Sequence, residues 1–152
     1  SIEFARNVLG YTDANSTEIN PHTNHNVVDI MEEQKSISNM GGTMRLGAYS
    51  CRLTEKSKVK GIYEKSEISE RHRHRYEFNN AYKDEFEKAG MVCSGINEEM
   101  NLVEIIELTD HKWYIGVQFH PEYSSTVIHP HPLFVNFVKA AAPKSLSKGT
   151  FG

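Results

Sequence analysis

Cysteine is scarce in this sequence: Cys51 and Cys93 are the only two thiols in 152 residues. Two well-separated cysteines cannot build a disulfide framework, and both are read as reduced thiols of a cytoplasmic protein. No apolar run is long enough to span a bilayer, and the first residues lack the basic segment and apolar core of a signal peptide. A membrane partner is therefore not expected. Nor are basic residues in excess: 17 Lys and Arg stand against 20 Asp and Glu, for a formal charge of -3. That balance gives no electrostatic footprint for nucleic acid. Despite eight histidines, there is no cysteine pair, no His-Glu-x-x-His helix and no phosphate loop. Neither a structural metal nor a Walker-type ATP site is expected on this chain. No internal repeat is found.

What is present suits a folded domain. Hydrophobic residues make up 38% and charged residues 24%, a mixture able to bury a core. Ile2, Ala5, Val8 and Leu9 recur at helical spacing and Gly10 can close that helix. The chain opens directly on this helix and is read as a piece of something larger. Residues 11–26 read as a polar loop, 27–31 as a strand and 32–42 as a mobile loop. Met44, Leu46 and Ala48 then alternate with Arg45, the period of a strand. A short helix is expected over 59–64.

Residues 69–79 read as one continuous strand. Arg71, Arg73, Arg75 and Glu77 would point one way, and His72, His74, Tyr76 and Phe78 the other. One face would be densely cationic. A helix over 81–89 should stop at Gly90. A strand over 91–96, a turn over 97–101 and a returning strand over 102–108 follow. The apolar run 113–119 reads as a strand buried on both faces. Pro132 opens a last helix to Ala142, with Phe134, Phe137 and Val138 inward. Residues 143–152 read as a tail. The mixture predicts an α/β or α+β layered structure.

The most informative stretch is Gly116-Val117-Gln118-Phe119-His120-Pro121-Glu122. A histidine stands where an apolar strand ends, and a carboxylate lies two residues on. Strand ends are where α/β folds place reactive groups. Imidazole can take and return protons near neutral pH, and a carboxylate can hold its tautomer. Pro121 stiffens the bend between them. His-Pro-Glu alone is a weak signal; on the end of that strand it is a strong one.

The segment resembles the His-Glu motif of class I, triad-type, glutamine amidotransferases. In that family a cysteine attacks the side-chain amide of glutamine, a histidine shuttles the proton and a glutamate orients the histidine. The matching residues are His120 and Glu122. Further motifs are similar to CTP synthases: Gly41-Gly42-Thr43-Met44-Arg45-Leu46-Gly47 to their lid segment, and Glu70 to Glu77 to their Arg/His strand. Asn15-Ser16-Thr17-Glu18 and Leu102 to Glu107 match as well. The resemblance covers about Ile2 to Ala142. It implies an α/β, flavodoxin-like fold with a mixed sheet. Residues 1–142 would be the C-terminal part of the amidotransferase domain, with the N-terminal strands and the nucleophile elbow missing.

By position, the resemblance implies that Arg75 binds the carboxylate of L-glutamine, a task suited to its fork of donors. It implies that Glu18 receives the α-amino group, and that Arg45 belongs to a regulatory lid coupling GTP to hydrolysis. Arg71 and Arg73 stay open between ligand contacts and solvated strand residues. The parent enzyme would use ATP and Mg2+ in a separate synthetase domain to aminate UTP, would be activated by GTP and would form a homotetramer. The family nucleophile sits in a Gly-x-Cys-x-Gly turn. Neither Cys51 nor Cys93 has that setting, so both are read as packing residues and the isolated chain as inactive. Two rivals stand beside this reading: another triad amidotransferase such as one making GMP, and a non-catalytic binding or regulatory module.

Overall fold

The computed structural model describes residues 1–30 and 44–143. The expected loop over 32–42, the Gly41-Gly42-Thr43 part of the lid motif, Met31 and the tail over 144–152 lie outside the described residues.

Helix α1 (Ile2–Asn7) buries Phe4 and Ala5, and the chain turns away from it through Gly10, whose φ of 80° suits a residue without a Cβ. The expected polar loop contains a two-residue strand, β1 (Asn15–Ser16), which runs parallel to β2 (Asn26–Ile30). Strand β3 (Arg45–Leu53) leads to α2 (Lys58–Tyr63), and β4 (Glu67–His74) returns antiparallel to β3. Next come β5 (Tyr76–Phe78), a 3-10 turn (Asn80–Tyr82) and α3 (Lys83–Lys88). Gly90, with φ of 100°, then permits the reversal into β6 (Met91–Asn97). The hairpin partner β7 (Leu102–Leu108) precedes β8 (Ile115–Val117), a 3-10 turn (Pro121–Ser124) and α4 (Pro132–Ala141).

These strands form two sheets among the described residues. One is mixed, in the order β1-β2-β5; the other is antiparallel, in the order β4-β3-β6-β7-β8. Phe4, Val27, Phe78, Phe86, Met91 and Val103 form one apolar cluster, linking α1 and α3 to both sheets. Cys51, Leu53, Val59, Ile105, Phe119 and Leu133 form another under α2 and α4.

Four expectations need correction, and β3 decides a face that alternation leaves open. Residues 69–79 are not one strand: the chain leaves the five-stranded sheet at His74, bends at Arg75 and joins the three-stranded sheet at Tyr76. Arg71 and Arg73 do face solvent, but Arg75 is half-buried and Glu77 is buried, so no single cationic face runs through all four. In β3 the faces run opposite to polarity: Leu46 is 57% exposed, whereas Arg45 is 3% exposed. Ion pairs described below supply the physical reason.

The run 113–119 yields only the three-residue β8. It lies at the edge of its sheet and is half-buried. On α4 the inward residue is Leu133. Phe134, Phe137 and Val138 are exposed, although the ring of Phe137 rests 5.8 Å from that of Trp113.

Candidate active site

The site begins where β8 ends. The amide of Gln118 still donates to the Glu104 carbonyl on β7, at 3.0 Å. Two residues later the amide of His120 donates to the Arg71 carbonyl on β4, at 2.9 Å. Between them Phe119 is buried beside His72, with ring centroids 5.9 Å apart. The crossing is thus fixed by two backbone bonds and one apolar anchor. Pro121 then starts a 3-10 turn that brings Glu122 back to the imidazole.

His120 Nδ1 lies 2.7 Å from Glu122 Oε1. A carboxylate only accepts, so Nδ1 carries the hydrogen and Nε2 keeps its lone pair. Among the described residues Nε2 has no hydrogen-bond partner, and the ring is about one-third exposed. The Glu122 carboxyl is held below the usual carboxylate range, first by its own backbone amide and then by His120. An ionised carboxylate, a fixed tautomer and an accessible lone pair together make a proton acceptor ready for use. The ring of Tyr123 stacks at a tilt 5.1 Å from His120, and Arg71 lies 5.7 Å from the Tyr123 ring centre.

Glu70 fastens the turn from beneath. Its carboxylate accepts from Tyr63 of α2 at 2.8 Å and from His131 at the start of α4 at 2.9 Å. Ser124, in the same turn as Glu122, adds a longer bond at 3.4 Å. His131 Nδ1 accepts from the Leu133 amide, so Nε2 carries the hydrogen that Glu70 receives. Burial works against ionising Glu70, but the bonds from His131 and Tyr63 overcome it and hold its pKa below the ordinary value.

On the inner face of β3 and β4 lies a buried charged cluster. Arg45 reaches Glu104 of β7 at 2.7 Å and Glu77 of β5 at 3.5 Å, and its guanidinium stacks 4.3 Å from the Tyr49 ring centre. His72 Nε2 lies 3.5 Å from Glu104, and His72 Nδ1 is 2.8 Å from His74 Nε2. Burial, and after it the Arg45 charge, push His72 down to about 3 and His74 to about 4, so both rings are neutral at pH 7. Arg45, read from sequence as part of a lid, is thus seated in β3 and holds two acidic strands together.

Arg75 occupies the bend between the two sheets, and its Nε is buried without a hydrogen-bond partner among the described residues. Glu18 lies exposed after β1, its amide held by Ser16 Oγ at 3.2 Å. The register brings both to one end of the three-stranded sheet. Thr17 bonds the Val28 carbonyl beyond the end of β1, and Ile30 pairs with Tyr76, the neighbour of Arg75. No hydrogen bond or ion pair among the described residues joins Arg75 to Glu18 or to His120.

Sequence reasoning missed Glu70, Tyr63, His131 and the buried set around Arg45. One signal was available: Glu104 and Glu107 interrupt an otherwise apolar strand, and both are fully buried. Glu107 accepts from the amides of Lys58 and Val59 and so caps α2.

The two cysteines are buried, and burial raises both thiols to about 12. Neither is a thiolate near neutral pH. Among the described residues no group of three His, Cys, Asp or Glu side chains could hold a metal ion, and no helix is long and apolar enough to cross a membrane.

The sequence pattern of the glutamine amidotransferase class-I family matches residues 1–140. The chain belongs to this family. Within the class-I amidotransferases, it is 69% identical over 144 residues to a protein of Bacteroides fragilis named CTP synthase. That match covers 95% of this chain and 27% of the relative. A CTP synthase of Flavobacterium psychrophilum is 61% identical over 140 residues, covering 92% of this chain and 26% of the relative. The chain therefore spans about a quarter of the length of the curated relatives it matches. Among solved structures, the glutaminase domain of Trypanosoma brucei CTPS with bound acivicin superposes with a TM-score of 0.84 at 39% identity. It matches 92% of this chain and 55% of that one. These likenesses agree with an α/β class-I amidotransferase fold.

Proposed function

We propose that the chain is the glutaminase part of a CTP synthase and works with a cysteine from elsewhere in the full-length protein. The observation that carries the reading is the His120–Glu122 pair, 2.7 Å apart, with Nε2 left without a partner among the described residues. In the proposed reaction Nε2 takes the proton of the cysteine thiol as sulfur attacks the glutamine amide carbon. The imidazolium, steadied by Glu122, returns that proton to the departing nitrogen, which leaves as ammonia. Water then attacks the thioester, again through Nε2, and releases glutamate and the thiol. Arg75 pairs with the substrate α-carboxylate and Glu18 with its α-ammonium, so that a free amino acid is selected.

Ammonia would pass to a synthetase domain that aminates UTP. ATP, Mg2+ and the activator GTP are assigned to that larger protein, as is a homotetramer. The described residues offer no metal cluster and no phosphate loop for them.

The test uses the full-length protein. Glutamine hydrolysis should fall by at least about 10²-fold in His120→Ala, the scale of a lost general acid–base group. The product should be CTP with UTP as acceptor and not GMP with XMP. Retained hydrolysis in the variant would remove the proton-shuttle role. The 152 residues alone should release no ammonia from glutamine, because both their thiols are buried and protonated.

A further inference from the structure

Arg75 is the single residue between β4, which belongs to the five-stranded sheet, and β5, which belongs to the three-stranded one. Its direction is set by how firmly the chain is held just before and just after it. One side chain spans that bend: His74 Nδ1 lies 3.2 Å from the carbonyl oxygen of Tyr76 and 3.4 Å from Glu77 Oε1. The residue before Arg75 is thereby tied to the two residues after it.

The tie has a defined sense. A carbonyl only accepts, so His74 Nδ1 carries the hydrogen, and in the neutral ring Nε2 must accept. The donor facing it is His72 Nδ1, at 2.8 Å. His72 Nε2 is then left as an acceptor facing Glu104, 3.5 Å away, a carboxyl already held by Arg45 at 2.7 Å. His72 itself is fully buried, edge-on to the rings of Tyr49 and Phe119. The direction of each hydrogen bond follows from the one before, and the row ends on the backbone beside Arg75.

We propose that His74 is a positioning residue that fixes Arg75 for the carboxylate of substrate glutamine, by clamping the crossover between the two sheets through the Tyr76 carbonyl. This rests on the reading of Arg75 as the carboxylate-binding residue. His74 makes no claim on the reacting atoms; it acts through the backbone that carries Arg75. The essential atom is Nδ1–H. An asparagine can present an amide N–H close to that position, whereas a glutamine presents its amide near the position of Nε2 instead.

The experiment is steady-state glutamine hydrolysis by the full-length protein carrying His74→Ala, His74→Gln, His74→Asn or Arg75→Ala. His74→Ala and His74→Gln should raise KM for glutamine about tenfold or more, with kcat lowered by no more than about threefold, because misplacing a binding group by a fraction of its bond length already costs this much. His74→Asn should stay within about threefold of the unaltered KM. A purely structural role would lower thermal stability without this KM-against-kcat split and without the difference between Asn and Gln. An unchanged KM in His74→Ala or His74→Gln, or an Asn variant as impaired as the Gln variant, overturns the proposal. If Arg75→Ala leaves KM unchanged, the assignment of Arg75 fails first. A raised KM in Arg75→Ala beside an unchanged one in the His74 variants sinks the clamp alone.

Discussion

The guanidinium of Arg45 lies 2.7 Å from the carboxylate of Glu104, and neither side chain reaches solvent. Glu77 approaches the same guanidinium from a different sheet. One cation therefore compensates two buried acids, and its value lies in what its loss would expose.

Arg45→Met should destabilise the fold by about 3–5 kcal/mol, because removing one partner strands a charge in the interior. Urea unfolding measures it. Burial already pushes Glu77 up to about 7, and without Arg45 it should rise further, so that much of the loss is relieved by protonation at acid pH. A loss below about 1 kcal/mol would mean that the pair behaves as a solvated one.

The pH dependence of stability should change in opposite senses for two substitutions. His74 has its folded pKa depressed to about 4 by burial and Arg45, below the ordinary 6.5. Its unfolded form binds the proton first, so the stability it contributes is present above about 6.5 and is lost as pH falls toward 4. Glu77 is raised to about 7 from 4.5 by burial, so its contribution is present below about 4.5 and is lost as pH rises through 7. Arg45, Glu104, His72 and His120 act on these groups in the native state. Between pH 5 and 6, His74→Asn should flatten the rise of stability with pH by up to about 1.4 kcal/mol per unit, and Glu77→Gln should steepen it by a similar amount. Chemical unfolding at a series of pH values reads both slopes.

Much of the local structure is legible in the sequence, and the reasons are local. Gly90 and the hairpin over 97–101 carry their own backbone preferences. Gly116 to Glu122 announces its bend through Pro121. The β3–β4 ribbon is different. Alternation gives its period correctly but cannot tell which face is inside, because that depends on Glu104 and Glu77, which arrive from β7 and β5. The break at Arg75 is equally silent, since either half could continue the other's alternation. Glu70 and His131 are 61 residues apart, and only the fold joins them.

Both cysteines should be unreactive in the folded chain. Their thiols are buried and raised to about 12, so a disulfide reagent should modify neither until denaturant is added, when both should react. In the full-length protein, Cys51→Ala and Cys93→Ala should leave glutamine hydrolysis within about threefold of normal. Loss of hydrolysis in a stably folded Cys51→Ala or Cys93→Ala protein would return that thiol to the catalytic role.

Gly95 marks a close approach within the second cluster. A Cβ there would stand 2.6 Å from Ile105 Cγ1 and 2.7 Å from Cys51 Sγ, where the β6–β7 register also slips. Gly95→Ala should cost about 1–3 kcal/mol, the range for overpacking a filled core. The double variant Gly95→Ala, Ile105→Ala, which removes Cγ1 and Cδ1, should cost less than the sum of the two single changes, as followed by thermal unfolding. Strict additivity would mean that Ile105 is not the obstructing group.

The mooring of the His120 turn to Glu70 has a consequence for control. Tyr63 belongs to one helix and His131 opens another, and both hold the carboxylate that Ser124 touches. The imidazole and its glutamate therefore travel with the helical layer as cargo. Whatever displaces α2 or α4 arrives at the His120 imidazole as a change of aim, so that, on the proposed reading, the outer helices become a handle on its alignment.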